Sequence, residues 1–370
     1  LTYYTQDEKR DNAKYIIELL DNRADYVLLS EVLRKEKYSV LLSTAQTLQE
    51  KITFHSYLKY LYSISIGSFI HYFGLSKFFL RVIKHSLVGD GKHARKFKRY
   101  RIEKVIGKKV IKYPKGLDIS KLTYPDKQWK NIFDLYFCHS KIDKDLISDK
   151  FPNVKCINIG YPKYDNILPI NSAKKIIYSE ISNINTSKLT LLWMPTIIRF
   201  GDGFIDNIRM WLPVIERLLG EFNIIIRPHP KVLVIDPKIV NNLAELGFLV
   251  DIKKDRNLGV LYQSADLVLA DYGGSVLSSV YMKKKLILLN ATSKYTQMRK
   301  KRMYIDADVR NNVSTFNIDN GNALIEQIMS DVRNSDELKI NSLKERYFGK
   351  KYDRENIREL SYKLAKELHI

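Results

Sequence analysis

Two short apolar runs, each ending in a turn that no strand can continue, constrain this chain most tightly. Phe222–Pro230 reads FNIIIRPHP and Leu261–Asn290 reads LYQSADLVLADYGGSVLSSVYMKKKLILLN. Ile224, Ile225 and Ile226 are consecutive β-branched residues, the pattern of a parallel strand buried on both faces. Pro228 and Pro230 have no N–H for a ladder, so the strand stops before them. Arg227 and His229 are then left at its carboxyl end, where open α/β sheets hold their ligands. Leu267–Ala270 (LVLA) reads as a second strand, Asp271, Tyr272, Gly273, Gly274 and Ser275 as a turn, Val276–Met282 as a helix and Leu286–Leu289 (LILL) as the next strand. Paired glycines let backbone amides approach a ligand closely, and a helix amino end adds partial positive charge that suits a phosphate. Each motif also fits a plain structural turn, since the second lacks GxGxxG spacing. Their joint position at the carboxyl ends of neighbouring parallel strands, about 40 residues apart, makes them an anion pocket with one cation, one imidazole and a nest of amides.

The 370 residues suffice for two domains, and 45% hydrophobic content is that of a globular protein. A net charge of +21 favours anionic partners: nucleic acid, an anionic membrane face or phosphorylated substrates. Cys138 and Cys156 lie beside apolar strand-like residues and read as buried free thiols in a reducing compartment. No residue set has zinc or EF-hand spacing, so no metal site is expected. The opening LTYYTQDEKR lacks the regions of a signal peptide.

Asn12–Leu20 reads as a capped amphipathic helix, and Tyr26–Ser30 and Ser39–Leu42 as strands, a βα alternation that favours a parallel sheet. Tyr57–Leu80 is apolar and aromatic, with 17 uncharged residues between Lys59 and Lys77. A buried or domain-covering helix is favoured there over an interfacial helix, and that over a membrane span. Lys92–Lys115 holds eleven Lys or Arg and one acid, Glu103. It is a solvated basic face or a docking surface for anionic lipid or a polyanionic acceptor, with single-stranded nucleic acid behind both because no RNA-binding signature accompanies it.

Further on, Asp134–His139 and Val154–Ile159 read as strands around a helix at Ser140–Lys150 capped by Ser140. Leu189–Met194 reads as a strand, the residues from Pro195 to Gly203 as a loop, and Asn207–Leu219 as a helix. The expected organisation is a Rossmann-like unit over 1–170 carrying the basic and aromatic segment 57–115. A second such unit, for the donor, covers 171–335, and a charged helical tail, 336–370, packs back across both.

These residues resemble the CDP-glycerol glycerophosphotransferases, the teichoic-acid and capsule polymerases. Gly160-Tyr161-Pro162-Lys163-Tyr164-Asp165 is similar to the family's G-x-P-R-x-D box, with Lys163 in place of Arg. Met194-Pro195-Thr196 followed by Arg199 resembles its A-P-T-x-R strand end, and Arg227-Pro228-His229-Pro230 matches its R-x-H-P box without change. Ala270-Asp271-Tyr272-Gly273-Gly274-Ser275 resembles its T-D-Y-S-S turn. The likeness implies an α/β fold of GT-B type, two Rossmann-like domains with parallel sheets facing a cleft, and a CDP-linked donor whose pyrophosphate lies along these boxes. The family's first-domain H-G-T-P-like box has no counterpart. At the comparable strand end, Val110–Gly116, there is no His, and Lys115 or Asp118 would serve on the acceptor side.

The implied reaction moves a glycerophosphate-type (alditol phosphate) group from a CDP-linked donor to a hydroxyl of a growing cell-surface polymer, teichoic acid or capsule. Both phosphates are anionic, so positioned donors and cations matter more than a strong nucleophile. Arg227, His229, Arg199 and Lys163 are candidates to neutralise charge, with His229 either protonating or hydrogen-bonding the leaving phosphate. Thr196 and Gly273 border the donor site, and the amides of Gly274 and Ser275 cradle the diphosphate. Asp271 caps the helix or orients a donor hydroxyl. No metal and no cofactor is required; the partners are the nucleotide-linked donor and an anionic polymer or lipid-linked acceptor, with no nucleic acid. The expected place is cytoplasmic, peripheral on the inner face of the membrane. A GT-B glycosyltransferase or related enzyme with a nucleotide-sugar donor is the alternative, followed by an inactive polyanion-binding protein on the same scaffold.

Overall fold

Parallel sheets need strands apolar on both faces, and this chain supplies them in runs of four to six residues. The computed structural model describes residues 2–5, 25–28, 38–43, 107–112, 117, 133–161, 164, 168–200, 203–254, 256–333 and 337–349. Elements are numbered along these residues. The helix expected at Asn12–Leu20, the aromatic stretch Tyr57–Leu80, and most of the basic run Lys92–Lys115 lie outside them.

Strands β1 (Thr2–Thr5), β2 (Asp25–Leu28), β3 (Tyr38–Ser43), β4 (Gly107–Lys112), β5 (Leu135–Cys138) and β6 (Lys155–Asn158) form one sheet in the order β2-β1-β3-β4-β5-β6. A second sheet holds β7 (Thr190–Met194), β10 (Asn223–Ile226), β11 (Leu249–Val250), β12 (Leu267–Ala270), β13 (Leu286–Leu289) and β14 (Ser314–Phe316), in the order β11-β10-β7-β12-β13-β14. Every pairing in both sheets is parallel. This is the α/β architecture expected. One expectation changes: β10 and β12 are not neighbours, because β7 lies between them, with Ile226 opposite Trp193 and Ala270 opposite Met194. A second changes too. The loop expected after β7 contains an antiparallel hairpin, β8 (Ile198–Phe200) with β9 (Gly203–Ile205).

Alternation within the strands divides the second sheet's core in two. Leu192, Ile225, Val268 and Leu288 enter one cluster; Leu191, Trp193, Ile224, Ile226, Leu269 and Leu289 enter the other. At about 25 cal/mol per Å² of apolar surface removed from water, such fully covered side chains are the main source of stability. The first cluster also takes in Tyr161 and Tyr164, from the segment after β6. Tyr161 packs edge-on to Tyr281 with centroids 6.0 Å apart, and its N–H donates to the Tyr281 hydroxyl at 3.0 Å. Tyr164 packs against Tyr262 at 5.9 Å.

Helix α1 (Lys141–Lys150) follows β5 and is capped by Ser140, whose Oγ accepts from Asp143 N at 2.9 Å. The other helices used below are α2 (Ile170–Glu180), α3 (Asn207–Ile215), α4 (Pro230–Ile235), α5 (Ile239–Glu245), α6 (Leu258–Ser264) and α7 (Gly274–Tyr281). They are followed by α8 (Ser293–Lys301), α9 (Ile305–Val309), α10 (Gly321–Arg333) and α11 (Glu337–Phe348). Helix α11 contacts both α1 and α7, and Phe348 O accepts from Asn158 Nδ2 at 3.4 Å. Cys138 is buried, but Cys156 is only partly covered; both are free thiols.

Candidate functional site

In a doubly wound sheet the ligand crevice opens at the carboxyl ends of the two strands where the winding reverses. From β7 the chain adds β10 and β11 on one side, then crosses to place β12, β13 and β14 on the other. The switch point therefore lies between β7 and β12, where Thr196 meets the turn Asp271–Ser275. Asp271 holds the two together. Its carboxylate accepts from Thr196 N at 2.8 and 3.0 Å, from Asn207 Nδ2 at 2.6 Å and from Tyr272 N at 2.6 Å. Burial pushes its pKa up to about 6, against the lowering effect of those hydrogen bonds and of nearby Arg310. Asp271 thus clamps three segments; the α7 N-cap is Gly273, which offers no side chain.

Gly273 has φ of 79° and ψ of −143°, a conformation essentially confined to glycine. Its N–H points to Asp306 Oδ2 at 3.4 Å, and Asp306 is buried in an ion pair with Arg299. Gly274 differs: a methyl at its Cα would meet nothing within 4 Å. Among the described residues, the first turn of α7 therefore opens on free space with no side-chain cap. Ser275 is half-buried, its Oγ donating to Tyr272 O at 3.4 Å. Behind the turn, the Arg310 guanidinium stacks 3.9 Å from the Tyr272 ring centroid, and its Nη1 donates to Asn290 Oδ1 at 2.5 Å. Arg310 Nε and Nη2 and Asn207 Oδ1 are buried with no hydrogen-bond partner among the described residues.

The Arg227–His229 segment leaves the same edge on the far side of β7, roughly 10 Å from β12 at two interstrand spacings. Arg227 Nη1 donates to Asp251 Oδ2 at 2.5 Å and Nη2 to Lys253 O at 3.1 Å. Asp251 also accepts from Arg256 Nε at 3.0 Å and Nη2 at 2.8 Å, and Arg256 reaches on to Glu180. Each terminal nitrogen of Arg227 thus makes one hydrogen bond within the protein. His229 is half-buried and caps α4, its Nδ1 accepting from Lys231 N at 3.1 Å. A backbone N–H can only donate, so the neutral ring carries its proton on Nε2. Burial, and then the Lys231 charge, lower its pKa.

Arg199 lies in β8 of the hairpin, paired with Phe204. Lys163, Lys115 and Asp118 lie outside the described residues. His139, just after β5, is fully buried with Nδ1 2.8 Å from Gly160 O and its ring against Tyr161. Sequence reasoning missed Asp251, Arg256, Asn207, Asp306, Arg299 and Arg310. Local pattern singles out none of them, because each acts through a partner distant in sequence or carried on another element. Among the described residues no group of His, Cys, Asp and Glu could hold a metal, and no helix is long and apolar enough to cross a membrane.

Residues 93–359 match the family model CDP-Glycerol:Poly(glycerophosphate) glycerophosphotransferase. The chain belongs to this family. The same fold occurs in the wall teichoic acid polymerase TagF, 12% identical, with a TM-score of 0.60 over 100% of this chain and 88% of that one. A histidine variant of TagF soaked with CDPG gives 0.61 at the same identity and coverage. A UDP-GlcNAc 2-epimerase from Neisseria meningitidis bound to UDP-GlcNAc is a looser likeness, 14% identical, TM-score 0.46, over 89% and 91% of the two chains. No curated protein matches the chain.

Proposed function

We propose that this member of the glycerophosphotransferase family transfers a glycerophosphate-type group from a CDP-linked donor to a hydroxyl of a growing cell-surface polymer, with the donor's pyrophosphate on the amino end of α7. The observation that carries this is the open, glycine-paired first turn of α7 at the switch point of the second sheet. Its free amides and helix dipole supply directed positive potential where a diphosphate carries charge. His229 donates from Nε2 to a phosphate oxygen as a neutral imidazole. Protonation at Nδ1 would oppose the Lys231 N–H that already occupies it, so a hydrogen-bonding role fits better than an acid role. Arg227 aligns this corner through Asp251, and Lys163 and Arg199 add charge.

In the transfer, the acceptor oxygen forms a bond to the phosphorus bearing the glycerol. The bond from that phosphorus to the bridging oxygen breaks, and CMP leaves with the electron pair. Lys115 and Asp118 are the candidates to take the hydroxyl proton. The reaction needs no divalent ion, so excess chelator leaves the rate unchanged. Teichoic acid or capsule is the polymer class, and the enzyme works as a peripheral protein on the cytoplasmic face of the membrane.

The test has two parts. CDP and CDP-glycerol raise the melting temperature above the effect of UDP and its sugars, because only a ligand of the folded state stabilises it. Turnover of CDP-glycerol falls at least a hundredfold in His229→Ala, while melting falls only by the lost α4 cap, about 1 kcal/mol. Equal stabilisation by UDP-sugars, or full turnover by the variant, would sink the assignment.

A further inference from the structure

The opposite edge of the second sheet carries a cavity that the proposed reaction does not use. All six strands enter from that edge, and the residues just before β7, β12, β13 and β14 wall a space of about 400 Å³. Ile170, Leu189 and Ile340 give it apolar sides, and Ile170 and Leu189 are 50% and 43% exposed. Lys283, Lys284 and Lys285 follow one another along its lining.

Among the described residues, four lysines (Lys283, Lys284, Lys285 and Lys339) line this space against two carboxylates, Asp266 and Asp331. Both carboxylates are already engaged: Asp266 Oδ1 accepts from Lys174 Nζ at 2.9 Å and Oδ2 from Thr190 N at 2.8 Å, and Asp331 Oδ1 accepts from Gln327 Nε2 at 2.6 Å. Lys285 Nζ donates to Asp331 O and Val332 O at 2.8 and 3.1 Å. Lys284 is left with one long bond, Nζ to Gln263 O at 3.4 Å, among the described residues. An ammonium offers three donors, so two of its three are unused. Burial, joined by the neighbouring Lys174 and Lys285, lowers the Lys284 pKa to about 8 against the raising effect of the Asp266 charge. Lys283 is fixed beside it at φ of 55°, exposed, in a left-handed backbone that holds the lysine bend.

We propose that this cavity is a second anion site that binds an organic phosphate ester, its phosphate on Lys283 and Lys284 and its carbon skeleton against Ile170, Leu189 and Ile340. Several adjacent ammonium groups act as point charges that share the oxygens of one phosphate. The half-apolar walls favour a short carbon chain over a bare ion, and a cavity of this size suits a small ligand. The ester is either a free small molecule or the end of a phosphodiester polymer, and the site stands whether or not CDP is the donor.

Isothermal titration of the full chain, with CDP present in excess, separates these sources. Glycerol 3-phosphate is one probe, a short poly(glycerophosphate) oligomer the other, and glycerol the uncharged control. One site for either probe, and none for glycerol, is expected. Binding of glycerol 3-phosphate identifies a free ester, and binding of the oligomer alone identifies a polymer end. Lys284→Met keeps the buried stem and removes the charge, and weakens binding at least tenfold. Lys283→Asn, which tolerates the left-handed backbone, weakens it severalfold and serves if the first variant folds poorly. Binding unchanged in both variants, or no binding of either probe at millimolar concentration, overturns the proposal.

Discussion

The turn after β10 and the turn after β12 leave the same edge of one sheet and are built from different materials. The first is held by charge: Arg227, Asp251, Arg256 and Glu180 form a chain of ion pairs running from strand end to helix α2. The second is held by backbone geometry and by hydrogen bonds from uncharged donors to one carboxylate, with Gly274 left exposed. Conspicuous charge in a motif is therefore a poor guide to the ligand-facing group. The arginine of the first turn bonds to its own scaffold, whereas the second turn spends its one charge, Asp271, on Thr196 and Asn207 and leaves Gly274 exposed.

Removing Asp251 tests that contrast most severely. Asp251→Asn leaves Arg227 and Arg256 without their shared carboxylate, which is 1% exposed. Breaking one member of a buried pair costs about 3–5 kcal/mol, so calorimetry is expected to show a large fall in melting temperature. An unchanged melting point would mean that Arg227 is no strut. Gly273→Ala comes next. At φ of 79° and ψ of −143° a side chain is strained by about 1–3 kcal/mol, so both stability and donor affinity fall. Stability without loss would show that the turn relaxes freely.

The pH response ranks third. The Asp271 pKa is raised from 3.8 to about 6, so the unfolded chain ionises first. Its stabilising contribution is full below pH 3.8 and is lost as pH rises through about 6, above which the cost is constant. The ionised form is the full acceptor for Thr196 and Asn207, so donor affinity is expected to rise across the same interval. Arg310→Met removes a charge that favours this ionisation and shifts the midpoint of the affinity profile upward. A midpoint that does not move would break the link between Arg310 and the clamp.

The smallest effect on the fold, and the sharpest on the comparison, is that of Gly274→Ala. The added methyl meets nothing in the protein, so stability changes by less than about 1 kcal/mol. Donor affinity, read by titration with CDP, is expected to fall about tenfold if amides approach the diphosphate closely. Unchanged affinity would move the pyrophosphate off this turn.

Some of this was legible from the start. Leu267–Ala270 and Leu286–Leu289 are strands with the bounds read from their apolar runs, and Ser140 caps its helix as its side chain suggests. The β8–β9 hairpin was not legible, because Gly201-Asp202-Gly203 reads as a loop and the flanking residues alternate over only three positions. Nor was the clamp role of Asp271, since a carboxylate before two glycines resembles a helix cap until Thr196 and Asn207 arrive from elsewhere.

The sequence alone determined where strands end and turns begin, because proline, glycine and runs of β-branched residues act on the backbone within a few residues of themselves. The tertiary structure alone decided that β7 separates the two motifs and that Asp251 takes Arg227. Sheet order and ion-pair choice depend on crossovers tens of residues long, whose outcome is set by packing both faces of the sheet and not by any local pattern.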